Sequence, residues 1–370
     1  SPTGQELAVS KVAARWLEQD GFPVEIHARD PKRPNLIAVW TGQPDGKRFL
    51  FNGHYDVFPP AENCPRDPWS GEIRDGKIYG CGCADMKAGL TAGMMAAKLL
   101  KRSGFVPNGS VIVNCNCDEE QGSEYGVKYL LSQGLLNADF GVSMEASEDL
   151  VIVESDGRIA YRVTYSAESW HAGMRAGWDN ALKKAHRAIA RLYEYDEMLR
   201  KTRYFGEREG GAILSVTEIA AGDNGSASNI NPSLCTFSLD RRYTRGESIE
   251  SATCELRQVL DELKASDPAM DYQLETLIAS PQLQMDENSA CISAAITAYR
   301  EVFGSTIRRG RRCGGGDTAK ITTAYGFPLP HFGPGKFDQL CAPDEHVDID
   351  EYIGFIKVYM RMVVQLLAQA

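Results

Sequence analysis

Long hydrophobic runs are missing from this 370-residue sequence. A helix needs about 20 consecutive apolar residues to cross a bilayer, and no segment of the chain approaches that pattern. The first residues also lack the basic stretch followed by an apolar stretch that is typical of a secretory signal. These absences argue against a membrane partner, and we expect a cytoplasmic protein.

Positive charge is scarce as well. The 40 lysines and arginines are outnumbered by 50 aspartates and glutamates, which gives a formal net charge of −10. Basic residues are dense only at positions 307–312, a run that we interpret as a solvated loop. Nucleic-acid-binding proteins usually present a basic face, so the composition argues against a nucleic-acid partner.

The cysteine pattern gives no sign of a disulfide framework. The chain has ten cysteines, and the close pairs Cys81/Cys83 and Cys115/Cys117 are only two residues apart. Such spacing on a strand or loop is a poor basis for disulfides, and reduced thiols are typical of a cytosolic enzyme. Internal repeats and low-complexity tracts are also absent from the sequence.

Hydrophobic periodicity predicts strands and helices in alternation over the first part of the chain. Strands are expected at residues 35–40, 48–52, 111–117 and 138–144, and helices at 5–19, 86–101 and 126–133. This order predicts an α/β domain with a largely parallel sheet.

The pattern changes near residue 156. From there the expected order is β-α-β-β-α-β, which is the order of a ferredoxin-like α+β unit. Its elements are predicted at residues 160–166, 178–200, 212–220, 234–242, 247–264 and 272–278. We therefore predict one domain made of residues 1–156 and 284–370, with a second domain of residues 157–283 inserted into it.

Histidine and acidic residues follow the predicted strands of the larger domain, where each strand ends. They are His54 and Asp56, Asp85 in a glycine-rich turn, the run Asp118-Glu119-Glu120, and Glu145. In open α/β sheets the ligand crevice lies at the carboxyl ends of the strands. We therefore expect these side chains to share one rim.

Carboxylates that share a rim would repel one another by several kcal/mol per close pair unless protons or a cation neutralise them. An imidazole among them favours a transition metal such as zinc over calcium or magnesium. Two simpler interpretations stay open for the individual residues. Asp85 could cap the following helix, and the run 118–120 could be the acidic start of a helix.

Five motifs occur in the order found in one enzyme family, and the similarity covers essentially the whole chain. They read GHYDV, GCGCADMKAGL, CDEEQGS, SMEAS and FGPGKFDQLCAPDEHVDI. The chain thus resembles the metallopeptidase and deacylase family of acetylornithine deacetylase, succinyl-diaminopimelate desuccinylase, aminoacylase and glutamate carboxypeptidase. The resemblance implies an α/β metallohydrolase domain with a mostly parallel sheet, an inserted ferredoxin-like lid domain, and a homodimer formed through that insertion.

The resemblance also implies a pair of divalent metal ions, with zinc expected and manganese or cobalt as alternatives. His54 and Glu145 would bind one ion, Glu120 the other, and Asp85 would bridge the two. A metal-bound water would attack the amide carbon of a small carboxylate-bearing substrate. Glu119 would be the general base and later the proton donor, while the carboxylate of Asp56 would accept a hydrogen bond from His54.

Four further positions match the family in or near the inserted domain. His171 in SWHAGMRAGWDNA would donate a hydrogen bond to the oxyanion, across a dimer. Asn229 and Arg242 would contact a substrate carboxylate or carbonyl, and an arginine can bind a carboxylate with two hydrogen bonds. Gly315 lies in CGGGDT, which resembles the family's glycine-rich substrate loop.

The chain departs from the family pattern at Cys341, where the family has its last metal-binding histidine, four residues before Glu345. Three interpretations stay open. Cys341 could bind zinc as a thiolate, His346 or His331 could replace it, or the second site could be weak and leave a mononuclear enzyme.

The departure at Cys341 leaves two alternative functions open. One is an aminohydrolase that removes an amino group from an activated aromatic ring, such as a nitroanthranilate. The other is a catalytically silent binding protein, which the presence of Glu119 disfavours because a scaffold has no use for a base.

Overall fold

The computed structural model describes residues 1–174, 179–206, 210–222 and 228–368. These residues form two compact units. The first contains Ser1–Val153, Met285–Arg311 and Gly316–Ala370, and the second contains Glu154–Gln284 and Arg312–Gly315.

The helices of the described residues are α1 (Leu7–Glu18), α2 (Ala88–Arg102), α3 (Val127–Ser132), α4 (Ala181–Arg203), α5 (Ile249–Ser266), α6 (Ala290–Phe303), α7 (Gly316–Tyr325) and α8 (Ile349–Leu367). Among these residues, no helix combines the length and the apolar character needed to cross a bilayer.

The strands are β1 (Val24–His27), β2 (Asn35–Thr41), β3 (Lys47–His54), β4 (Ile73–Arg74), β5 (Lys77–Tyr79), β6 (Gly109–Asn116), β7 (Phe140–Ser143), β8 (Leu150–Ser155), β9 (Gly157–Ser166), β10 (Tyr204–Gly206), β11 (Gly210–Gly211), β12 (Ile213–Ala221), β13 (Leu234–Tyr243), β14 (Tyr272–Ser280), β15 (Leu283–Gln284), β16 (Arg308–Arg312) and β17 (His346–Asp348).

The main sheet of the first unit has five strands in the order β1-β2-β6-β3-β7. Strands β6, β3 and β7 are parallel neighbours, whereas β1 and β2 add an antiparallel edge. Every residue of β6 is buried, as expected of a strand covered on both faces. The predicted α/β class is confirmed, and within this sheet the antiparallel strand β1 is the one that the sequence pattern did not predict.

Small residues on α2 allow this helix to lie directly on the end of β7. A Cβ atom added to Gly89 would lie 1.7 Å from the carbonyl oxygen of Met144, and one added to Gly93 would lie 2.0 Å from its sulfur. A larger residue at position 89 would require a shift of the backbone, and one at position 93 would displace the Met144 side chain. The close approach fixes Met144, and with it the start of the segment that carries Glu145.

The second unit is a four-stranded antiparallel sheet in the order β12-β13-β9-β14, packed against α4 and α5. Alternate residues of β13 are buried, which is the pattern of a strand with one covered face. The chain order β9-α4-β12-β13-α5-β14 is that of the predicted ferredoxin-like unit. The long helix begins at Ala181, where Asn180 caps it by accepting a hydrogen bond from Lys183 N at 3.0 Å.

Other sequence predictions differ from the structure in detail. The basic run was predicted as a solvated loop, but it forms strand β16, in which Arg311 is buried. In the strand, pairing with β8 satisfies backbone groups that water would satisfy in a solvated loop. Trp178, the predicted start of the long helix, lies outside the described residues.

Candidate metal centre

Three parallel strands deliver the candidate site residues to one edge of the main sheet. His54 is the last residue of β3, Glu119 follows β6, and Glu145 follows β7. The register pairs His54 with Asn116 and Asn52 with Ser143, so the carboxyl ends of the three strands coincide. This is the edge at which open α/β sheets bind their ligands.

His54 is held in one tautomer by a backbone carbonyl. Its Nδ1 lies 3.0 Å from the carbonyl oxygen of Asp56 and 3.5 Å from the carboxylate of the same residue. A carbonyl oxygen can only accept a hydrogen bond, so Nδ1 carries the proton and Nε2 keeps a lone pair. The sequence analysis predicted the Asp56 carboxylate as the principal acceptor, and the carbonyl oxygen is the nearer one.

The free nitrogen of His54 faces two carboxylates without a hydrogen bond. Nε2 lies 3.3 Å from Oδ1 of Asp85 and 3.5 Å from Oε1 of Glu145, and it has no hydrogen-bond partner despite being buried. Across the described parts of the chain, the ligand atoms of these three residues form a group in which all lie within 4.8 Å of one another.

The negative charges of Asp85 and Glu145 around Nε2 of His54 favour a positive charge at this site. Burial lowers the pKa of His54, but the neighbouring carboxylates of Asp56, Asp85 and Glu145 raise it well above the usual value. A lone pair that faces two carboxylates is stable only beside a proton or a cation. One imidazole nitrogen and two carboxylate oxygens are a donor set that suits zinc, manganese or cobalt, so the residues present fit a divalent metal ion.

Glu345 fixes the turn that carries Asp85. Its Oε1 accepts hydrogen bonds from the backbone N–H groups of Ala84 and Asp85 at 2.8 and 3.0 Å, and its Oε2 accepts one from Gly82 at 2.8 Å. Helix α2 begins only at Ala88, with Lys87 at its N-cap. Asp85 therefore does not cap the helix, and its carboxylate is available to a metal.

We expect Glu345→Gln to weaken metal binding without unfolding the protein. The glutamine amide nitrogen cannot accept the hydrogen bond from one of the three N–H groups, so the turn around Asp85 loosens. Loss of an outer-shell partner typically costs about 10–100-fold in metal affinity. Titration against a competing chelator measures the change, with Asp344→Asn as the control because Asp344 pairs with Arg66 instead. Equal affinities for the two variants would contradict this role.

The carboxylate of Asp56 holds the turn that contains Glu119 and Glu120. It accepts the backbone N–H of Glu119 at 3.2 Å, the N–H of Glu120 at 3.4 Å and the hydroxyl of Thr3 at 2.9 Å. The carboxylate is thus engaged mainly by this turn, which explains why the backbone carbonyl is the closer partner of His54.

A buried ion cluster anchors the same turn from its other side. Asp118 has a left-handed backbone conformation with φ of 66°. Its carboxylate accepts a hydrogen bond from Arg33 at 2.6 Å, and Arg33 also binds the fully buried Glu6 at 2.8 Å. The conformation that separates Glu119 from β6 is therefore held by charge pairing.

Both glutamates of the turn lie among other carboxylates. Burial and then Asp317 raise the pKa of Glu119 to about 8. Burial and then Asp85 raise the pKa of Glu120 to about 10. A bound cation would reverse this effect, because its charge favours the ionised form of each neighbouring carboxylate.

Cys341 lies beside the metal group. It lines a pocket together with Asp85 and Glu120. Its residue surface is largely exposed, yet partial burial of the thiol and the negative charges of Asp85 and Glu120 raise its pKa to about 12. Within the residues described, neither Glu120 nor Cys341 belongs to the three-residue group around His54.

Other contacts hold the two histidines that were considered as replacements for Cys341. His346 uses both ring nitrogens, since Nδ1 donates to the Asp344 carbonyl at 2.8 Å and Nε2 lies 2.9 Å from Nζ of Lys77. His331 is buried, and its backbone bridges Ser143 and Ile152. Neither histidine is in the metal group of the described residues.

The structure places the other predicted site residues in the second unit. The amide of Asn229 lies 2.9 Å from Nε2 of His171, and both residues are exposed. Arg242 donates to Asp240 at 2.7 Å and to the Cys313 carbonyl at 3.3 Å, which ties it to the loop that contains Gly315. Residues 175–178 of the motif around His171 lie outside the described residues.

Sequence reasoning missed the residues that hold the candidate ligands in place. They are Thr3, Glu6, Arg33, Ser123, Asp317, Lys320 and Glu345. Glu345, Asp317 and Ser123 had a signal, since all three stand in motifs that resemble the family. The others are ordinary polar residues whose partners are remote in the sequence.

Comparison with known proteins agrees with the fold and with the site. The family model described as Peptidase family M20/M25/M40 matches residues 50–365. The chain is 26% identical to carboxypeptidase G2 of Pseudomonas sp., over 90% of this chain and 77% of that protein. It is 27% identical to a succinyl-diaminopimelate desuccinylase of Cereibacter sphaeroides, over 98% of this chain and 94% of that protein.

Solved structures confirm the fold. A tripeptidase from Staphylococcus aureus superposes with a TM-score of 0.78 at 21% identity, covering 100% of this chain and 95% of that one. The YXEP protein of Bacillus subtilis, described as a dinuclear metal binding peptidase, superposes with a TM-score of 0.72 at 18% identity, covering 100% and 95%.

Proposed function

This chain belongs to peptidase family M20/M25/M40, and from that premise we propose that it hydrolyses an amide bond of a small molecule bearing a carboxylate. Membership makes it a metallohydrolase that acts on C–N bonds, as the sequence analysis predicted. The observation that carries the proposal is the buried Nε2 of His54, which has no hydrogen-bond partner and faces Asp85 and Glu145.

The residues of the first unit divide the work of the reaction. His54, Asp85 and Glu145 hold a divalent cation, with zinc proposed as the ion. When bound, such a cation lowers the pKa of a water molecule and polarises a carbonyl group. Glu119 accepts the proton of the attacking water and passes it to the leaving nitrogen, which is general acid–base catalysis by one carboxylate. Its pKa is sensitive to His54 and Glu145, which supports a position beside the metal group.

The second unit supplies the proposed substrate contacts. His171, whose Nδ1 accepts the N–H of Gly173 at 3.2 Å, is proposed to donate a hydrogen bond to the oxyanion. Arg242 and Gly315 are proposed to bind the substrate carboxylate. Both names, desuccinylase and carboxypeptidase, denote removal of a group from a carboxylate-bearing molecule, which supports this choice. A homodimer through the second unit, which would deliver His171 to the partner's site, remains a proposal.

A substrate panel tests the proposal. N-acyl amino acids, succinylated amino acids and dipeptides are incubated with the metal-loaded enzyme, and release of the free amine is measured. Turnover of at least one amide substrate is expected.

The alternative of an aminohydrolase is kept because the group around His54 provides ligands for a single ion. Nitroanthranilates in the same panel test it, and ammonia release from these compounds alone would replace amide hydrolysis as the function.

We expect Cys341→His to strengthen binding of a second metal ion. The thiol has a pKa raised to about 12 beside Asp85 and Glu120, so it must lose a proton at a cost before it can bind metal. A neutral imidazole binds without that cost. Metal analysis after dialysis is expected to show a higher metal content per chain for the variant.

The control for this experiment is Cys64→His, which adds an imidazole to another wall of the same pocket. Unchanged metal content in Cys341→His, or the same gain in Cys64→His, would refute a second site at position 341.

A further inference from the structure

The carboxylate of Glu119 packs against the backbone at the first residue of α7. A Cβ atom added to Gly316 would lie 2.6 Å from Oε1 of Glu119, a separation that real Cβ atoms essentially never show. Gly316 also has φ of 49°, in the left-handed region. The glycine therefore leaves the space that the Glu119 carboxylate occupies.

Asp317 holds this end of α7 in place, so that the helix cannot move away from Glu119. The side chain is 3% exposed, and its Oδ2 accepts a hydrogen bond from Nδ2 of Asn116 at 2.6 Å. Its Oδ1 accepts from the hydroxyl of Ser123 and from Nζ of Lys320 at 3.2 Å. Asn116 precedes the Glu119 turn and Ser123 follows it, so Asp317 ties α7 to the chain on both sides of Glu119.

Lys320 completes the same network. Its Nζ donates to Oγ of Ser123 at 2.9 Å as well as to Asp317, and its side chain is buried. A buried ion pair whose partners are also hydrogen-bonded holds its geometry, because breaking it would leave an uncompensated charge. The network is thus a rigid support, against which Gly316 meets Glu119.

We propose that the start of α7 positions the catalytic carboxylate, with Gly316 as the positioning residue and the Asp317–Lys320 pair as its anchor. This inference rests on the proposed function, in which Glu119 transfers the proton. This positioning requires glycine at position 316, because a Cβ atom there would displace the carboxylate of Glu119. In this proposal, Gly316 of the motif CGGGDT contributes to catalysis by positioning Glu119 and not by contact with the substrate.

The test is Gly316→Ala in the full-length, metal-loaded enzyme. The conflicting atom is the end of a flexible side chain, so the protein is expected to fold with Glu119 displaced. A displacement of about 1 Å can lower a rate about 100-fold, and we expect kcat to fall by about that factor. KM and metal content are expected to stay at the wild-type values, because neither His54 nor the turn at Asp85 is touched.

Gly326→Ala is the matched control. Gly326 follows the other end of α7, has φ of 74°, and its added Cβ would have no atom within 4 Å. This variant carries the same backbone strain without a contact to Glu119, so wild-type kcat is expected. Equal kcat values for both variants and the wild type would overturn the positioning role while leaving the proposed function intact.

Crystal structures of the wild type and Gly316→Ala separate failure of this inference from failure of the proposed function. If the wild type turns over no panel substrate, the proposed function fails, and the position of the Glu119 carboxylate still decides the inference. A carboxylate displaced in the variant supports it. A carboxylate that stays in place overturns it.

Discussion

Glu119→Gln is expected to lower kcat strongly while the protein keeps its fold and its metal. Glutamine has nearly the size of glutamate, and the backbone N–H at position 119 still donates to Asp56. The amide, however, cannot accept a proton from water. General acid–base catalysis typically contributes about 10²–10⁴-fold, so kcat on the best panel substrate is expected to fall by a factor in that range.

Three measurements distinguish this loss from damage to the site. Metal content and melting temperature are expected to match the wild type, and KM is expected to change little because Glu119 is not proposed to bind the substrate. Glu124→Gln provides the matched control, since Glu124 is an exposed residue that pairs with Lys128 at 2.6 Å. A Glu119→Gln enzyme with wild-type kcat would end the role of Glu119 as the base.

Asp85→Asn is expected to remove both the metal and the activity. The substitution takes a negative charge from the group around His54, and it offers an amide where the cation needs a carboxylate. Outer-shell changes already cost about 10–100-fold in metal affinity, and loss of a direct ligand is expected to exceed that range. Activity is expected to fall below detection at metal concentrations that saturate the wild type.

Chelation extends the same test to the wild type. Dialysis against a chelator is expected to remove activity, and addition of zinc, manganese or cobalt is expected to restore it in the wild type but not in Asp85→Asn. Asp75→Asn is the control, because Asp75 is exposed and pairs with its neighbour Arg74 at 3.3 Å. A metal-free wild type with full activity would disprove the metal centre altogether.

The sheet and the edge that carries the site followed from local sequence patterns. Buried strands such as β6 appear as continuous apolar runs, and the polar residues that end them are adjacent in the sequence. Because parallel strands end at a common edge, the meeting of His54 and Glu145 could be predicted from strand positions alone. The helix at α2 was equally clear from its composition, although its predicted first residue, Met86, has non-helical backbone angles and the α-helix begins at Ala88.

The exact hydrogen bonds of the site did not follow from those patterns. The family resemblance implied a hydrogen bond between the side chains of His54 and Asp56, yet the carbonyl of Asp56 is the nearer acceptor. The carboxylate is drawn instead to the N–H groups of Glu119 and Glu120. The N–H groups of the turn and the imidazole of His54 compete for the Asp56 carboxylate. The outcome depends on where the turn after β6 lies, and the spacing of His54 and Asp56 within one segment gives no information on that position.

The basic run at β16 shows the same limit. A run of arginines, considered alone, predicts exposure to solvent. In the structure the run forms β16 in a small sheet, and Arg311 is buried. Strand pairing depends on which neighbouring strand is available, and that neighbour is more than a hundred residues away in the chain.

Local sequence patterns were enough to identify the family, the order of the main strands and helices, and the residue types at the carboxyl edge of the sheet. These properties are encoded in short segments, where hydrophobic period and motif spacing act locally. Only the tertiary structure decided how the ligands are held: Glu345 against the Asp85 turn, Arg33 against Asp118, and Gly316 against Glu119. The physical reason is that each of these contacts joins segments far apart in the chain, and packing of the whole unit sets their distances.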